Sequence, residues 1–142
     1  MKIRQATDAD LVRIKGLLKD NNLPFSDCGE HIDNFILKED KNNIIGIGGI
    51  EVYGCNGLIR SIVVSKNQRG KGVAKDIFKT IKEKSFDLGV TGLYLLTEDA
   101  NEYFDKLGFR AVERTEAPES IMNTKQFKEL CPSSAVVMYL EI

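Results

Sequence analysis

The sequence is short of the residues that build metal centres and disulfide frameworks. It holds one histidine and three cysteines, Cys28, Cys55 and Cys131. A structural zinc takes four ligands, so Cys28-x-x-His31 is half a site at most and no metal is expected. An odd cysteine count in a chain of this length argues against a disulfide framework. No run approaches the ~18–20 consecutive apolar residues of a transmembrane helix. The opening Met1-Lys2-Ile3-Arg4 lacks the apolar core of a signal peptide, so the expected compartment is the cytoplasm. Neither charge sign is in excess: Lys plus Arg is 20, Asp plus Glu is 21 and the formal net charge is −1. That balance excludes a basic surface for non-specific nucleic-acid binding and a polybasic membrane anchor. Linkers, low-complexity tracts and internal repeats are also missing.

What remains is 142 residues, 42 % hydrophobic and 29 % charged, the size and composition of one soluble domain spanning 1–142. Strand-like and helix-like segments alternate, which points to a mixed α/β (α+β) unit. Residues 2–6 read as a first strand. Thr7 to Asp10 form a helix start, and Leu11, Ile14, Leu17 and Leu18 follow at helical spacing. The sequence Asn21-Asn22-Leu23-Pro24 ends that helix. A helical turn or two covers 28–34, and residues 35–38 form a strand turned by 39–43. The clearest strands are 44–53 and 58–65, joined by a four-residue loop, Gly54-Cys55-Asn56-Gly57. That register sets Tyr53 opposite Leu58 and Glu51 opposite Arg60. A helix with the stripe Val73, Ile77, Phe78 and Ile81 ends at Gly89. Residues 93–96 are a buried strand, 98–107 a helix capped by Gly108, and 119–130 a helix. Strands at 109–114 and 135–142 complete the order.

The segment with chemical content is Arg69-Gly70-Lys71-Gly72-Val73-Ala74, between a strand and a helix. Small residues let a ligand approach the backbone closely. The first helical turn leaves amide N–H groups unpaired, and its dipole favours an anion such as phosphate. Arg69 and Lys71 add positive charge at the rim. The nucleotide pattern G-x-x-x-x-G-K-[ST] does not occur. The dinucleotide pattern G-x-G-x-x-G fails at Lys75 after Gly70 and Gly72, and at Glu51 after Gly46 and Gly48. Taken alone, the segment is as well explained as a plain glycine-rich turn.

The run Arg69-x-x-Gly72-x-Ala74 resembles the (R/Q)-x-x-G-x-(G/A) signature of the GCN5-related N-acetyltransferases, the GNAT superfamily. Val63-Val64 before it, and Tyr103-Phe104-Asp105-Lys106-Leu107-Gly108-Phe109 after it, resemble that superfamily's neighbouring motifs. A narrower similarity, to the ArsN-type acetyltransferases associated with arsenic resistance, is carried by Leu23-Pro24, Gly57-Leu58-Ile59-Arg60-Ser61 and Leu93-Tyr94-Leu95-Leu96-Thr97. A C-terminal stretch, Arg114 through Ala117-Pro118, Ile121, Thr124, Phe127 and Leu130-Cys131-Pro132, carries it too.

The resemblance implies a single domain with a central, mostly antiparallel mixed sheet flanked by helices. It also implies transfer of acetyl from acetyl-CoA, as cosubstrate, to the primary amine of a small molecule, in a monomer or homodimer. The coenzyme would meet Ile62, Val63, Val64, Arg69, Gly70, Lys71, Gly72, Val73, Ala74 and Phe104, with a backbone N–H near Val63 or Val64 receiving the oxyanion. An amine must lose a proton before attack. Glu51 is the first candidate base, although a cross-strand ion pair with Arg60 explains it as well. Glu98, at a helix start, is a weaker one. Arg60 and Ser61 are candidates to orient an anionic group of the substrate. The superfamily's usual acid, a tyrosine, falls at Phe104, which has no proton to give. Tyr103 is adjacent but about 100° around the helix, and the usual Asn seven residues upstream of that tyrosine is Thr97. The departure leaves a non-catalytic acyl-CoA binding or sensing module as the alternative. An unrelated phosphate-binding or interaction domain is the third reading. Nothing in the cysteine spacing marks a covalent acetyl-cysteine or arsenic capture, and a buried Cys behaves as a small hydrophobe.

Overall fold

The computed structural model describes residues 2–23, 25–98, 100–130 and 135–142, with Glu129 and Leu130 described by backbone alone. Pro24, Cys131 and Pro132, named in the resemblance above, lie outside the described residues.

The elements run β1 (Lys2–Gln5), α1 (Leu11–Asp20), β2 (Phe35–Asp40), β3 (Asn43–Tyr53), β4 (Asn56–Val64), α2 (Val73–Asp87), β5 (Gly92–Thr97), α3 (Asn101–Lys106), β6 (Arg110–Val112), α4 (Glu119–Met122) and β7 (Val136–Glu141). Short 3-10 turns precede α1, β2 and α2. The strands form one seven-stranded sheet in the order β1-β2-β3-β4-β5-β7-β6. The β1/β2, β2/β3, β5/β7 and β6/β7 pairs are antiparallel, and β4/β5 is parallel, with Asn56, Gly57 and Leu58 beside Gly92, Leu93 and Tyr94. The expected mixed, mostly antiparallel sheet is therefore present.

Several expected boundaries move. The turn after β2 is not 39–43 but Lys41-Asn42, both at positive φ (52° and 69°), because β2 and β3 pair as far as Asp40 and Asn43. The β3–β4 loop is Gly54-Cys55, two residues rather than four, with Gly54 at φ +63°. The expected helix over 98–107 is only Asn101–Lys106, since the Thr97 hydroxyl accepts the Ala100 N–H at 3.0 Å and holds the entry non-helical. The expected helix over 119–130 is broken in two. The Thr124 hydroxyl donates to the Ile121 carbonyl at 2.8 Å and accepts the Phe127 N–H at 3.3 Å, so the backbone leaves α4 and resumes as a π turn, Gln126–Leu130.

The chain forms two compact units. The first, Met1–Glu51 with Arg60–Lys84, has a core of Ile14, Leu18, Cys28, Phe35, Leu37, Ile47 and Val63. Within it α2 packs on glycines of β3: a Cβ on Gly46 would stand 2.7 Å from both Val73 and Ile77, and one on Gly48 2.8 Å from Ile77. Gly46 and Gly48, which fail the dinucleotide pattern, thus serve helix-on-sheet packing. The second unit, Val52–Ile59 with Ser85–Ile142, closes around Leu58, Tyr94, Ala117, Ile121 and Val137.

Candidate functional site

The glycine turn is built by the end of β4 and the start of α2. Ser65 donates its N–H to the Ile45 carbonyl at 2.9 Å, fixing the chain as it leaves the sheet. A 3-10 turn, Lys66–Gln68, follows, and then Gly70 (φ +79°) and Gly72 (φ +81°) take left-handed conformations that favour glycine. A Cβ at either would meet nothing within 4 Å, so the backbone there faces open space. Val73 is buried and anchors the first turn of α2, a 15-residue helix. Asp76 in that turn is held by Lys38 at 2.7 Å, which lowers its pKa and offsets a negative charge that would oppose a bound anion. Arg69 is exposed but tied back to the chain: its Nε donates to the Val64 carbonyl at 3.0 Å, and Nη2 lies 3.4 Å from Asn21 Oδ1. Lys71 is exposed, Ala74 is partly buried, and Ile62, Val63 and Val64 form the last residues of β4.

A buried ionic cluster occupies the same unit. Arg60 Nη1 donates to Asp27 Oδ2 at 2.7 Å and to Glu51 Oε2 at 3.0 Å, and its Nε donates to Ser61 Oγ at 2.9 Å. The guanidinium also lies 5.8 Å from the Phe35 ring centroid. The side chains of Asp27, Glu51 and Arg60 are at most 2 % exposed. Burial pushes the Asp27 carboxyl up, but the Arg60 hydrogen bond and charge outweigh it and hold it below the usual range. Asp27 Oδ1 is buried with no hydrogen-bond partner among the described residues. His31 Nε2 stands 3.6 Å from Glu51 Oε1, at the partly exposed margin of the cluster.

Asp27, His31 and Glu51 bring ligand-type atoms within 4.8 Å of one another. A guanidinium already sits against both carboxylates, so Arg60 is the cation that this cluster holds. The same contacts bear on the expectation that Arg60 would orient a substrate anion: two carboxylates of the chain itself take its Nη1. Ser61 stands beside them at φ +63° within β4, where a residue with a side chain is strained.

The sequence pointed to Glu51, Arg60 and Ser61, and the fold brings these three together. Asp27 was not anticipated, and His31 was weighed only as half of a zinc pair. The two are four residues apart in a helical stretch, and nothing local ties that spacing to a strand 20 residues on. Tyr103 and Phe104 belong to the second unit. Their rings meet edge-on at 5.4 Å, and Phe104 meets Phe109 at 5.7 Å. Phe104 is thus a core residue of that unit, while Tyr103 is 39 % exposed with its hydroxyl pKa raised by burial. Glu98 is exposed just before α3. Cys28 lies in the first unit's core, where burial raises its pKa and keeps the thiol protonated, and Cys55 is exposed at the β3–β4 turn.

Known proteins resemble this chain in sequence and in fold. An "Amino-acid acetyltransferase" of Neisseria meningitidis is 25 % identical over 134 residues, covering 84 % of this chain and 30 % of the relative. The chain thus spans about a third of that relative's length. The "Uncharacterized N-acetyltransferase YjcF" of Bacillus subtilis is 27 % identical over 116 residues, 79 % of this chain and 83 % of the relative. Among solved structures, Rv2747 of Mycobacterium tuberculosis, crystallised with CoA and NLQ, superposes with a TM-score of 0.83 at 20 % identity over 100 % of this chain and 99 % of the other. N-acetylglutamate synthase of Neisseria gonorrhoeae, complexed with coenzyme A and L-arginine, gives 0.85 at 22 % identity over 99 % of this chain and 33 % of the other. At those identities the superpositions establish a shared fold. The model of the "Acetyltransferase (GNAT) family" matches residues 8–109, a span that contains the glycine turn, the Glu51–Arg60 cluster and α3. The chain belongs to the GNAT acetyltransferase family.

Proposed function

We propose that the protein binds acetyl-CoA at the glycine turn and transfers its acetyl group directly to the primary amine of a small molecule. The observation that carries this reading is the opening of α2, where two left-handed glycines with open space above them lead into the first turn of a 15-residue helix, whose leading N–H groups have no partner within a helix. A pyrophosphate fits that cradle by charge and by room. Lys71 adds a positive rim, and Arg69, tied to the Val64 carbonyl, stiffens the link between strand and turn. The bound coenzyme supplies an activated acyl group. The backbone at Val63 and Val64 provides the donor for its carbonyl oxygen, with Ile62 beside it. Glu51 takes the proton of the acceptor, directly or through water. Tyr103 is the nearest remaining candidate acid to the position of Phe104, but a thiolate leaves readily without one. The resemblance to ArsN-type enzymes favours a small molecule over a protein as acceptor and suggests a setting of arsenic resistance without naming the amine; the reading is of a cytoplasmic monomer or homodimer.

The test is calorimetric titration with acetyl-CoA, followed by thiol release over a panel of primary amines. Wild type binds the coenzyme and Gly72→Glu does not, because the new carboxylate repels the pyrophosphate and strains a φ of +81°. Binding with no thiol release from any amine supports the alternative, a coenzyme-binding or sensing module. No binding by folded wild type removes both.

A further inference from the structure

If Glu51 accepts the acceptor's proton, the proton has to leave a carboxylate whose side chain is 2 % exposed. Its two oxygens face different partners. Oε2 is held by the Arg60 guanidinium at 3.0 Å, and Oε1 faces His31 Nε2 at 3.6 Å, close enough for a small contraction or one water to complete a path. The His31 side chain is 23 % exposed, so it meets both the cluster and solvent. The 3-10 segment Cys28–Asn34 breaks its helical dihedrals at His31 itself (φ −121°, ψ 15°), so the backbone kinks where the ring meets Glu51. Imidazole changes charge between about pH 5 and 8 and can carry a proton on either nitrogen. His31 is also the only histidine in the chain.

We infer that His31 is a proton-relay residue acting through Glu51, carrying the proton lost by the acceptor amine from the buried carboxylate to solvent. This rests on the acetyl-transfer reading above. The balance is simple. An ammonium acceptor gives up two protons as its C–N bond forms and the thioester C–S bond breaks. One proton ends on the departing sulfur as thiol. The other passes from nitrogen to Glu51, from Glu51 to His31 Nε2, and from the ring to water. The groups facing the ring are Glu51 on β3 and Asp27 ahead of the 3-10 segment, both of them paired with Arg60 on β4, and its own segment carries Glu30 and Asp33. Arg60 holds Glu51 in place and is itself held by Asp27, which makes both positioning residues in this path.

The experiment measures kcat and KM for thiol release against pH, with the best amine of the panel, in wild type, His31→Gln and His31→Ala. Acetyl-CoA affinity and circular dichroism serve as controls for folding. A relay predicts a fall of tenfold or more in kcat for both variants, a pH profile whose shape differs from that of wild type, and unchanged coenzyme affinity. Added imidazole restores activity to His31→Ala and not to wild type. Wild-type rates and pH profile in His31→Gln overturn the relay and leave the acetyltransferase reading intact. A loss in both variants with no change in the shape of the profile and no imidazole rescue overturns it as well, and marks His31 as structural. Coenzyme binding with no amine turned over defeats the acetyl-transfer reading and the relay together.

Discussion

Removal of Arg60 is costly, because its guanidinium is 1 % exposed and sits between two carboxylates that are equally buried. Breaking a buried pair by deleting one partner leaves uncompensated charge, at a cost of about 3–5 kcal/mol. Arg60→Met keeps most of the stem and removes the charge, leaving both Asp27 and Glu51 without it. Urea unfolding is expected to show a loss of about 3 kcal/mol or more; a loss under about 1 kcal/mol would mean that water reaches the cluster and screens it. Half of this cluster was legible in the sequence. Glu51 and Arg60 lie on adjacent strands joined by a short loop, so their meeting follows from hairpin connectivity even though the loop is two residues rather than four. Asp27 and His31 were illegible because their contacts, with Arg60 and Glu51 respectively, are tertiary: the chain ahead of β2 is carried onto β3 and β4, and no periodicity encodes that placement. The turn Gly70 to Gly72 was legible because its positive dihedrals require a residue type that the sequence displays.

At the scale of elements, glycines separate packing from conformational freedom. Gly48 lies in β3 under α2, and a methyl there would stand 2.8 Å from Ile77 Cγ2 and 2.9 Å from Ile81 Cδ1. Both isoleucines are fully buried, so the helix itself must shift. Gly48→Ala is expected to cost about 1–3 kcal/mol by overpacking. Gly16, exposed in α1, has nothing within 4 Å of its Cβ position and a normal helical backbone. Gly16→Ala is expected to stabilise by about 0.5–1 kcal/mol through helix propensity. Thermal unfolding of the two variants side by side checks both signs, and equal effects would undo the distinction. The same contrast explains which elements the sequence disclosed. The long helix α2 and strands β3 and β4 have strong apolar periods and buried faces, and they stand close to where that pattern puts them. The stretch 119–130 has a helical period too, yet Thr124 offers its hydroxyl to the backbone in both directions and breaks it. A side chain competing with the helix for backbone partners leaves no trace in hydrophobic spacing.

For the whole molecule, the carboxylates that are bound to arginine set the acid limit of stability. Asp10 accepts from Arg4 through both carboxylate oxygens at 2.9 Å, from Arg13 at 2.9 Å and from the Thr7 N–H at 2.8 Å. Arg4 in turn is paired with Glu39 across β1 and β2. The Arg4 hydrogen bond is the largest influence on Asp10, stronger than the opposing effect of burial, and holds its carboxyl far below the usual range. Asp27 is depressed in the same direction by Arg60. A group whose folded pKa is depressed stabilises the native state above its unfolded value, near ~3.9 for Asp. That stability is lost as pH falls through the folded value, since the unfolded chain then binds more protons. The urea midpoint is therefore expected to hold from neutrality to about pH 5 and to decline steadily below about pH 4. Asp10→Asn should lose about 1–2 kcal/mol at pH 7, a figure discounted for the partly exposed Arg4 and Arg13. Its acid limb should be shallower, so that the two stability curves converge as pH drops. If the gap between wild type and Asp10→Asn is constant from pH 7 to pH 3, then Asp10 titrates alike in the folded and unfolded chain, and its arginine contacts do not persist in solution.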